Sequence, residues 1–337
     1  MENKVFIIAE AGINHNGEIG LAKKMIDAAK ESGADCIKFQ TFRARDFISD
    51  PDLMHTYKSQ GKEVTESQLK MFARYEFNED NWKEIINYCK GKNIVFATTP
   101  QNPSDLDLIL SLTNLNFIKV GSDDLTNLEL MEYYAKKNRP MIISAGMAYD
   151  SEIGDAVNAI RNAGNNDITV MHCVSSYPAQ AEEINLKKIQ SIKDQFKVKV
   201  GFSDHSIGSV AAVGAVCLGA SVIEKHFTLS HDLPGPDHWF SLETGELKKY
   251  VDDIRFAEKA VGSAELIPTK AEMEMRKIAR RSIVAKADIN SGDLFTDDNI
   301  EFKRPGTGLA PKFKKDIINK AADRNYKKGD LIQKNGQ

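Results

Sequence analysis

The chain is poor in cysteine. Its four residues, Cys36, Cys89, Cys173 and Cys217, are widely scattered and form no CxxC pair. Three of them lie in apolar runs and read as buried thiols, which makes the cytoplasm the expected compartment. Long hydrophobic runs are missing as well. No stretch approaches the roughly 18 apolar residues of a membrane span. The opening residues, MENKVFIIAEAG, pass at once into a strand pattern and show no secretory-leader pattern. The net charge of −3 gives no sign of a nucleic-acid partner. A glycine fingerprint for dinucleotides is absent, and so is any internal repeat.

What the 337 residues do contain is alternation. Eight short apolar runs are separated by amphipathic segments: Val5–Glu10, Cys36–Gln40, Ile94–Thr99, Phe117–Ser122, Met141–Gly146, Ile168–Cys173, Val198–Asp204 and Ser221–His226. Between the first two runs, Leu21, Met25, Ala28 and Ala29 fall on one helical face and Gly33 suits a helix C-terminus. Eight such units predict an α/β fold, a (β/α)8 TIM barrel, more economically than an open sheet. The interval after the second run is longer. Residues 43–80 are too many for a loop and a helix, and predict an excursion over the barrel mouth. Residues 1–262 form the expected barrel. Residues 263–280 read as a charged linker with at least one helical turn. From 281 to 337, short strand candidates split by turns such as NSGD and KKGD predict a small β-rich domain with a marginal core.

Barrel enzymes carry their chemistry at the C-terminal ends of the strands. Here nearly every run closes in polar residues at that end. These are Glu10, Lys38 and Gln40, Thr99, Lys119 and Ser122 with Asp123 and Asp124, His172 with Ser175 and Tyr177, Ser203 with His205, and Glu224 with His226. Asp237 and His238 follow the last. Two inward lysines are costly to bury without an anion. Lys38 and Lys119, with the Ser122 and Ser203 hydroxyls, could hold a phosphate or carboxylate. His205 and His226 close neighbouring strands and could bind a divalent ion or shuttle a proton. Glu10 is then an acid, a base or the orienter of a hydroxyl. Taken singly, a strand-end lysine is more often solvated or ion-paired, and a lone histidine more often structural. Lys225 should face the other way and pair with a helix carboxylate. His172 reads equally well as a packed residue, and an acidic pair such as Asp123–Asp124 can start a helix. The coincidence of polar ends on one side carries the catalytic reading.

The ordered stretches IAEAGINHNG, IKFQTF, FATTP, IKVGS, SAGMA, HCVSSYP, GFSDHS, EKHFTL and LPGPDH resemble the sialic acid synthase family, which makes nonulosonic acids. ARRSIVAKADINSGDLFTDDNIEFKRPGTG resembles that family's antifreeze-like (SAF) domain. The resemblance implies a transferase that condenses phosphoenolpyruvate with an N-acetylated hexose and water. N-acetylmannosamine is the expected sugar, with 2,4-diacetamido-2,4,6-trideoxymannose, the legionaminate precursor, as the alternative. A pseudaminate or octulosonate type of synthase and a non-catalytic carbohydrate-binding protein are more distant rivals. By resemblance, His205 and His226 ligate Mn²⁺ or Mg²⁺, and Lys38, Lys119, Ser122, Ser203 and His205 surround phosphoenolpyruvate. Glu10, Gln40, Tyr177 and Asp237 contact the sugar, and Thr99 lines the site. The resemblance also implies that Arg304 is lent to the partner's active site in a domain-swapped homodimer. Two stretches depart from the family pattern. Gly121–Ser122–Asp123–Asp124 stands where the family often has GSGE or GSGD, so Asp124 keeps an acid at the last place, of shorter reach where Glu is the reference, and Ser175 replaces an asparagine or threonine.

Overall fold

The computed structural model describes residues 4–333. The chain divides into two compact units, Met1–Gly262 and Ser263–Gln337. The first is the barrel. Its strands are β1 (Phe6–Gly12), β2 (Cys36–Thr41), β5 (Val95–Pro100), β6 (Ile118–Val120), β7 (Met141–Ser144), β8 (Ile168–Cys173), β9 (Lys199–Asp204) and β10 (Val222–His226). A hairpin, β3 (Met54–Ser59) and β4 (Lys62–Ser67), is inserted after the second. The eight barrel strands form one sheet in the order β5-β2-β1-β10-β9-β8-β7-β6, and its ladders are parallel. The end strands β5 and β6 lie side by side, so the sheet closes almost completely. The alternation of apolar runs and helices is therefore realised as an eight-stranded barrel.

Each strand shows one set of side chains to the surrounding helices and the other to the barrel axis. The inward sets form layers. Ile8, Cys36, Ala97, Phe117, Ile142, Met171 and Val222 make an apolar plug inside the barrel. Two residues further along their strands come Glu10, Lys38, Thr99, Lys119, Ser144, Cys173 and Glu224, and Ser203 on β9 joins them. The plug gives these polar groups a dry floor, and the open end of the strands gives them a way out. The outward sets join the helices in the main core. The first helix, Ile19–Glu31, buries Ala22, Met25, Ile26, Ala28 and Ala29, while Leu21 stays half-exposed at the edge of that face. Gly33 follows at φ +84, a left-handed turn that favours glycine.

The long insertion carries a short helix, Ala44–Phe47, then the β3–β4 hairpin and a second short helix, Gln68–Ala73. The hairpin is tied to the loop after β10. Gln60 Nε2 donates to Asp232 O at 2.8 Å, and Gly235 N donates to Ser59 Oγ at 3.1 Å. The excursion thus reaches the segment LPGPDH beyond the last strand, at the polar end of the barrel.

In the second unit, a helix spans Lys270–Ala279 and buries none of its residues. Thr269 caps it, with Glu272 completing the capping box. After it, β11 (Ser282–Ala285) pairs antiparallel with β12 (Ile300–Lys303). Single bridges add Val284 to Leu331, Ile289 to Tyr326 and Leu294 to Ala321. Ile283, Ala285, Ile289, Phe295, Ile300, Tyr326 and Ile332 belong to the small core beneath them.

Candidate active site

A cavity of about 370 Å³ opens where the barrel strands end. Its floor holds four buried charged side chains. Lys38 Nζ lies 2.8 Å from Glu10 Oε2 and 3.7 Å from Glu224 Oε2. Lys119 Nζ lies 3.8 Å from Glu224 Oε1. The two lysines already have protein counter-charges, so their burial does not by itself require an anion. That corrects the inference drawn from the lysines alone. Glu10 comes from β1, which neighbours β2 in the sheet, whereas Glu224 on β10 reaches Lys38 on β2 and Lys119 on β6 across the barrel interior. Glu224 was visible as a polar strand end, but its role between the lysines depends on that reach across the barrel.

Hydroxyls complete the floor. Lys38 donates to Thr99 Oγ1 at 2.8 Å, and Lys119 to Ser144 Oγ at 2.8 Å. Ser203 Oγ donates to Glu224 Oε1 at 3.0 Å. Burial opposes the charge on Glu224, yet Lys119 and Lys38 hold its carboxyl below the usual range. Burial also opposes the Lys38 ammonium, but Glu10 and Glu224 carry it above its ordinary value. Lys119 is lowered by burial, with only partial relief from Glu224. For Glu10 burial prevails over the pull of Lys38 and moves the carboxyl up to about 7. Glu10 is thus the member of the four suited to exchange a proton near neutrality.

The histidines stand one layer higher. The ring centroids of His205 and His226 are 5.7 Å apart. His205 Nδ1 lies 2.7 Å from Val174 O, so Nδ1 carries the proton and Nε2 keeps its lone pair. His226 Nδ1 is buried without a hydrogen-bond partner, and Asp237 Oδ2 is 4.0 Å away. Burial holds His205 down at about 4, and burial with the neighbouring His205 holds His226 well below its ordinary value. Neutral imidazoles with a lone pair to offer are the form that ligates a metal. Among the described residues no group of three or more His, Cys, Asp and Glu side chains stands at metal-binding spacing. Two protein nitrogens are what this pair offers, leaving other coordination positions to substrate oxygens.

The remaining expected residues fall into two groups. Gln40, Thr99, Ser122, Ser175, Tyr177 and Ser203 line the cavity with the floor and the histidines. Gln40 Nε2 reaches Glu10 Oε1 at 3.4 Å. The Tyr177 ring packs tilted against His205 and Phe240, with centroids 4.1 Å and 4.7 Å away. Ser122 Oγ accepts from Gly146 N at 2.9 Å. A β-carbon on Gly146 would stand 2.3 Å from Ser175 Oγ and 2.7 Å from Ser122 Oγ, so only glycine lets these hydroxyls converge. Gly12 on β1 is favoured for a different reason, its left-handed φ of +51. A β-carbon there would be 3.5 Å from both Glu10 Oε1 and Asp237 Oδ2, which places Asp237 beside the Glu10 wall.

Asp124 is not among the residues that line the cavity. Asp123 lines the cavity instead, its carboxylate folded back over Gly121. Asp124 is half-buried beside it, and burial and Asp123 raise its carboxyl to about 6. Arg304 follows β12 in the second unit and is exposed. Lys225 does face away from the cavity, but its partner is a strand residue. Nζ lies 3.3 Å from Asp204 Oδ2, and Tyr250 OH donates to the same carboxylate at 2.9 Å. His172 is the packed residue. Its Nε2 lies 2.5 Å from Ile184 O and its ring stacks on Phe202. His15 is buried against Phe77, with ring centroids 4.2 Å apart. The apolar side of the cavity, Phe42, Phe47 and Phe72, was not foreseen. Two of these rings belong to the excursion, whose fold cannot be read from strand spacing.

A charged floor below two neutral imidazoles, open at the C-terminal ends of a parallel barrel, defines a catalytic barrel. Comparison with known proteins agrees. Residues 25–266 match the NeuB family, and residues 280–336 match the SAF domain. The N,N′-diacetyllegionaminic acid synthase of Campylobacter jejuni is 42% identical over 332 residues, covering 98% of this chain and 99% of that protein. The protein of the same name from Legionella pneumophila is 36% identical, over 97% of this chain and 93% of its own. Among solved structures, the N-acetylneuraminic acid synthetase of Leptospira borgpetersenii, crystallised with citrate, superposes with a TM-score of 0.72 at 33% identity. It covers 81% of this chain and 90% of that one. The chain belongs to the NeuB family.

Proposed function

We propose that the barrel mouth condenses phosphoenolpyruvate with an open-chain acetamido sugar and water, giving a nonulosonic acid and inorganic phosphate. The observation that carries this reading is the buried Glu10–Lys38–Glu224–Lys119 floor, with serine hydroxyls around it, beneath two neutral imidazoles. Binding alone gives no reason to bury four charges in one layer, which argues against a non-catalytic lectin-like role.

The balance of the step is simple. C3 of phosphoenolpyruvate attacks the aldehyde carbon, and the aldehyde oxygen takes up a proton. Water adds at C2, and the resulting intermediate loses phosphate by cleavage of its C–O bond. Lys38 and Lys119 hold the phosphate and carboxylate charge, with Ser122 and Ser203 as hydrogen-bond partners. Glu10, with Gln40 beside it, holds a sugar hydroxyl or moves the proton. His205 and His226 would hold a divalent cation, Mn²⁺ or Mg²⁺, which when bound supplies Lewis-acid polarisation of the aldehyde.

For the sugar, the names of the Campylobacter jejuni and Legionella pneumophila relatives favour 2,4-diacetamido-2,4,6-trideoxymannose. N-acetylmannosamine, ranked first on the motifs alone, becomes the second reading, supported by the name of the Leptospira borgpetersenii structure. The working form we infer is a domain-swapped homodimer in which Arg304 enters the partner's mouth. The four free cysteines fit a reducing compartment, the cytoplasm. Phosphate release with phosphoenolpyruvate, Mn²⁺ and each sugar in turn tests the reading. The expected result is higher kcat/KM with the trideoxy sugar. Release with neither sugar would overturn it.

A further inference from the structure

Strand β2 changes character with depth. Its inward residues run from Cys36 in the apolar plug to Lys38 on the charged floor and then Gln40. The next inward residue, just past the strand, is Phe42. Phe47 and Phe72 pack on it edge to face, with ring centroids 5.6 Å and 5.3 Å away, and on each other at 5.2 Å. All three line the cavity. Phe42 is buried, while Phe47 and Phe72 remain half-exposed. Ile13, Met71 and Tyr75 back the cluster, so the rings are anchored.

Phosphoenolpyruvate and sugar hydroxyls have no use for such a wall, since each polar group turned toward it loses water without gaining a partner. The floor and the Glu10–Gln40 side already supply the polar contacts. A substrate with its anionic partner at the lysines and its own far end at the mouth meets the rings with that far end. We propose that Phe42, Phe47 and Phe72 form the specificity wall of the sugar site, receiving the C6 methyl group of a 6-deoxy acetamido sugar and rejecting a C6 hydroxyl. The assignment rests on the synthase reading above. A methyl group gains by leaving water for this surface, and a hydroxyl at the same point is left unpaired. Differences of one small group in an apolar pocket are worth about 10- to 200-fold in kcat/KM.

The test isolates C6. Purified full-length protein with phosphoenolpyruvate and Mn²⁺ is given N-acetylmannosamine, its 6-deoxy counterpart and 2,4-diacetamido-2,4,6-trideoxymannose, and phosphate release is followed. The wild type is expected to favour the 6-deoxy member of the first pair by about tenfold or more, mainly through KM. Phe47→Tyr and Phe72→Tyr keep the ring packing and place a hydroxyl at the wall. Each is expected to lower that ratio about tenfold. Turnover with an unchanged ratio in both variants overturns the wall and leaves the synthase reading standing. No release with any of the three sugars overturns both.

Discussion

The Glu224 carboxylate stands 3.8 Å from Lys119 Nζ, and its other oxygen is 3.7 Å from Lys38 Nζ. One acid on β10 thus serves two lysines on β2 and β6. Removing its charge leaves two buried ammonium groups with only Glu10 between them. Glu224→Gln is expected to lower stability by about 3 kcal/mol, the usual cost of breaking a buried pair from one side. Urea denaturation of the variant measures it. A midpoint equal to that of the wild type would show that the floor is not held by this charge.

Gly146 keeps the Ser122 and Ser175 hydroxyls together, because a β-carbon would fall 2.3 Å from one and 2.7 Å from the other. Gly146→Ala should leave the barrel folded and raise KM for phosphoenolpyruvate about tenfold, since displacements of this size misplace a bound substrate. Adding Ser175→Ala should restore part of the loss. Steady-state kinetics of the single and double variants check this, and equal KM values in all three proteins would contradict it.

For the proposed cation site, chelation should abolish phosphate release, and Mn²⁺ should restore it. His205→Ala and His226→Ala should lose most of the metal-dependent rate and bind Mn²⁺ more weakly in a calorimeter. Full turnover by either variant in the presence of chelator would remove the metal from the reaction.

Arg304 is exposed in the unit it belongs to, and the proposed lending across a dimer has a direct test. Arg304→Ala should raise KM for the sugar while the barrel stays folded. Mixing Arg304→Ala with an inactive Lys119→Ala chain should recover activity, because one mouth of the mixed dimer then has both residues. No recovery after subunit exchange would argue for a site complete within one chain.

Asp35 makes a prediction about acid stability. Burial opposes its charge, but Lys4, the Ile7 backbone N–H and Arg255 together hold its carboxyl below the usual range. A lowered carboxylate contributes stability above its unfolded pKa of about 3.9 and loses it as the pH falls through the lower folded value. Asp35→Asn should therefore be less stable than the wild type at pH 7. The gap should narrow below about pH 4. Denaturation midpoints across that range report it, and a gap that widened toward acid would contradict the assignment.

The eight strands were legible because strands buried on both faces read as short apolar runs, and nearly every run is marked by polar residues that close one end. Glu10, Lys38, Thr99, Lys119, Ser203, His205 and His226 could be picked out on that mark, and the structure gathers them at one mouth. Other features left no such mark. Asp123 and Asp124 are neighbours, and of the two it is Asp123, its carboxylate close over Gly121, that lines the cavity. Lys225 could be seen to point outward, but its partner Asp204 lies on the neighbouring strand, so no helical spacing reveals it.

From local rules the sequence by itself determined the eight strands of the barrel, a small SAF domain after it, and the family's motifs in order. These depend on periodicity and short stretches of chain. Tertiary structure alone decided what each buried charge faces. Barrel closure set Glu10 and Glu224 against the two lysines, and the packing of the insertion turned Phe47 and Phe72 toward the cavity that Phe42 also lines. Both outcomes are contacts between residues far apart in the chain. Their energy depends on distance and on exclusion from water, and neither is written into local sequence.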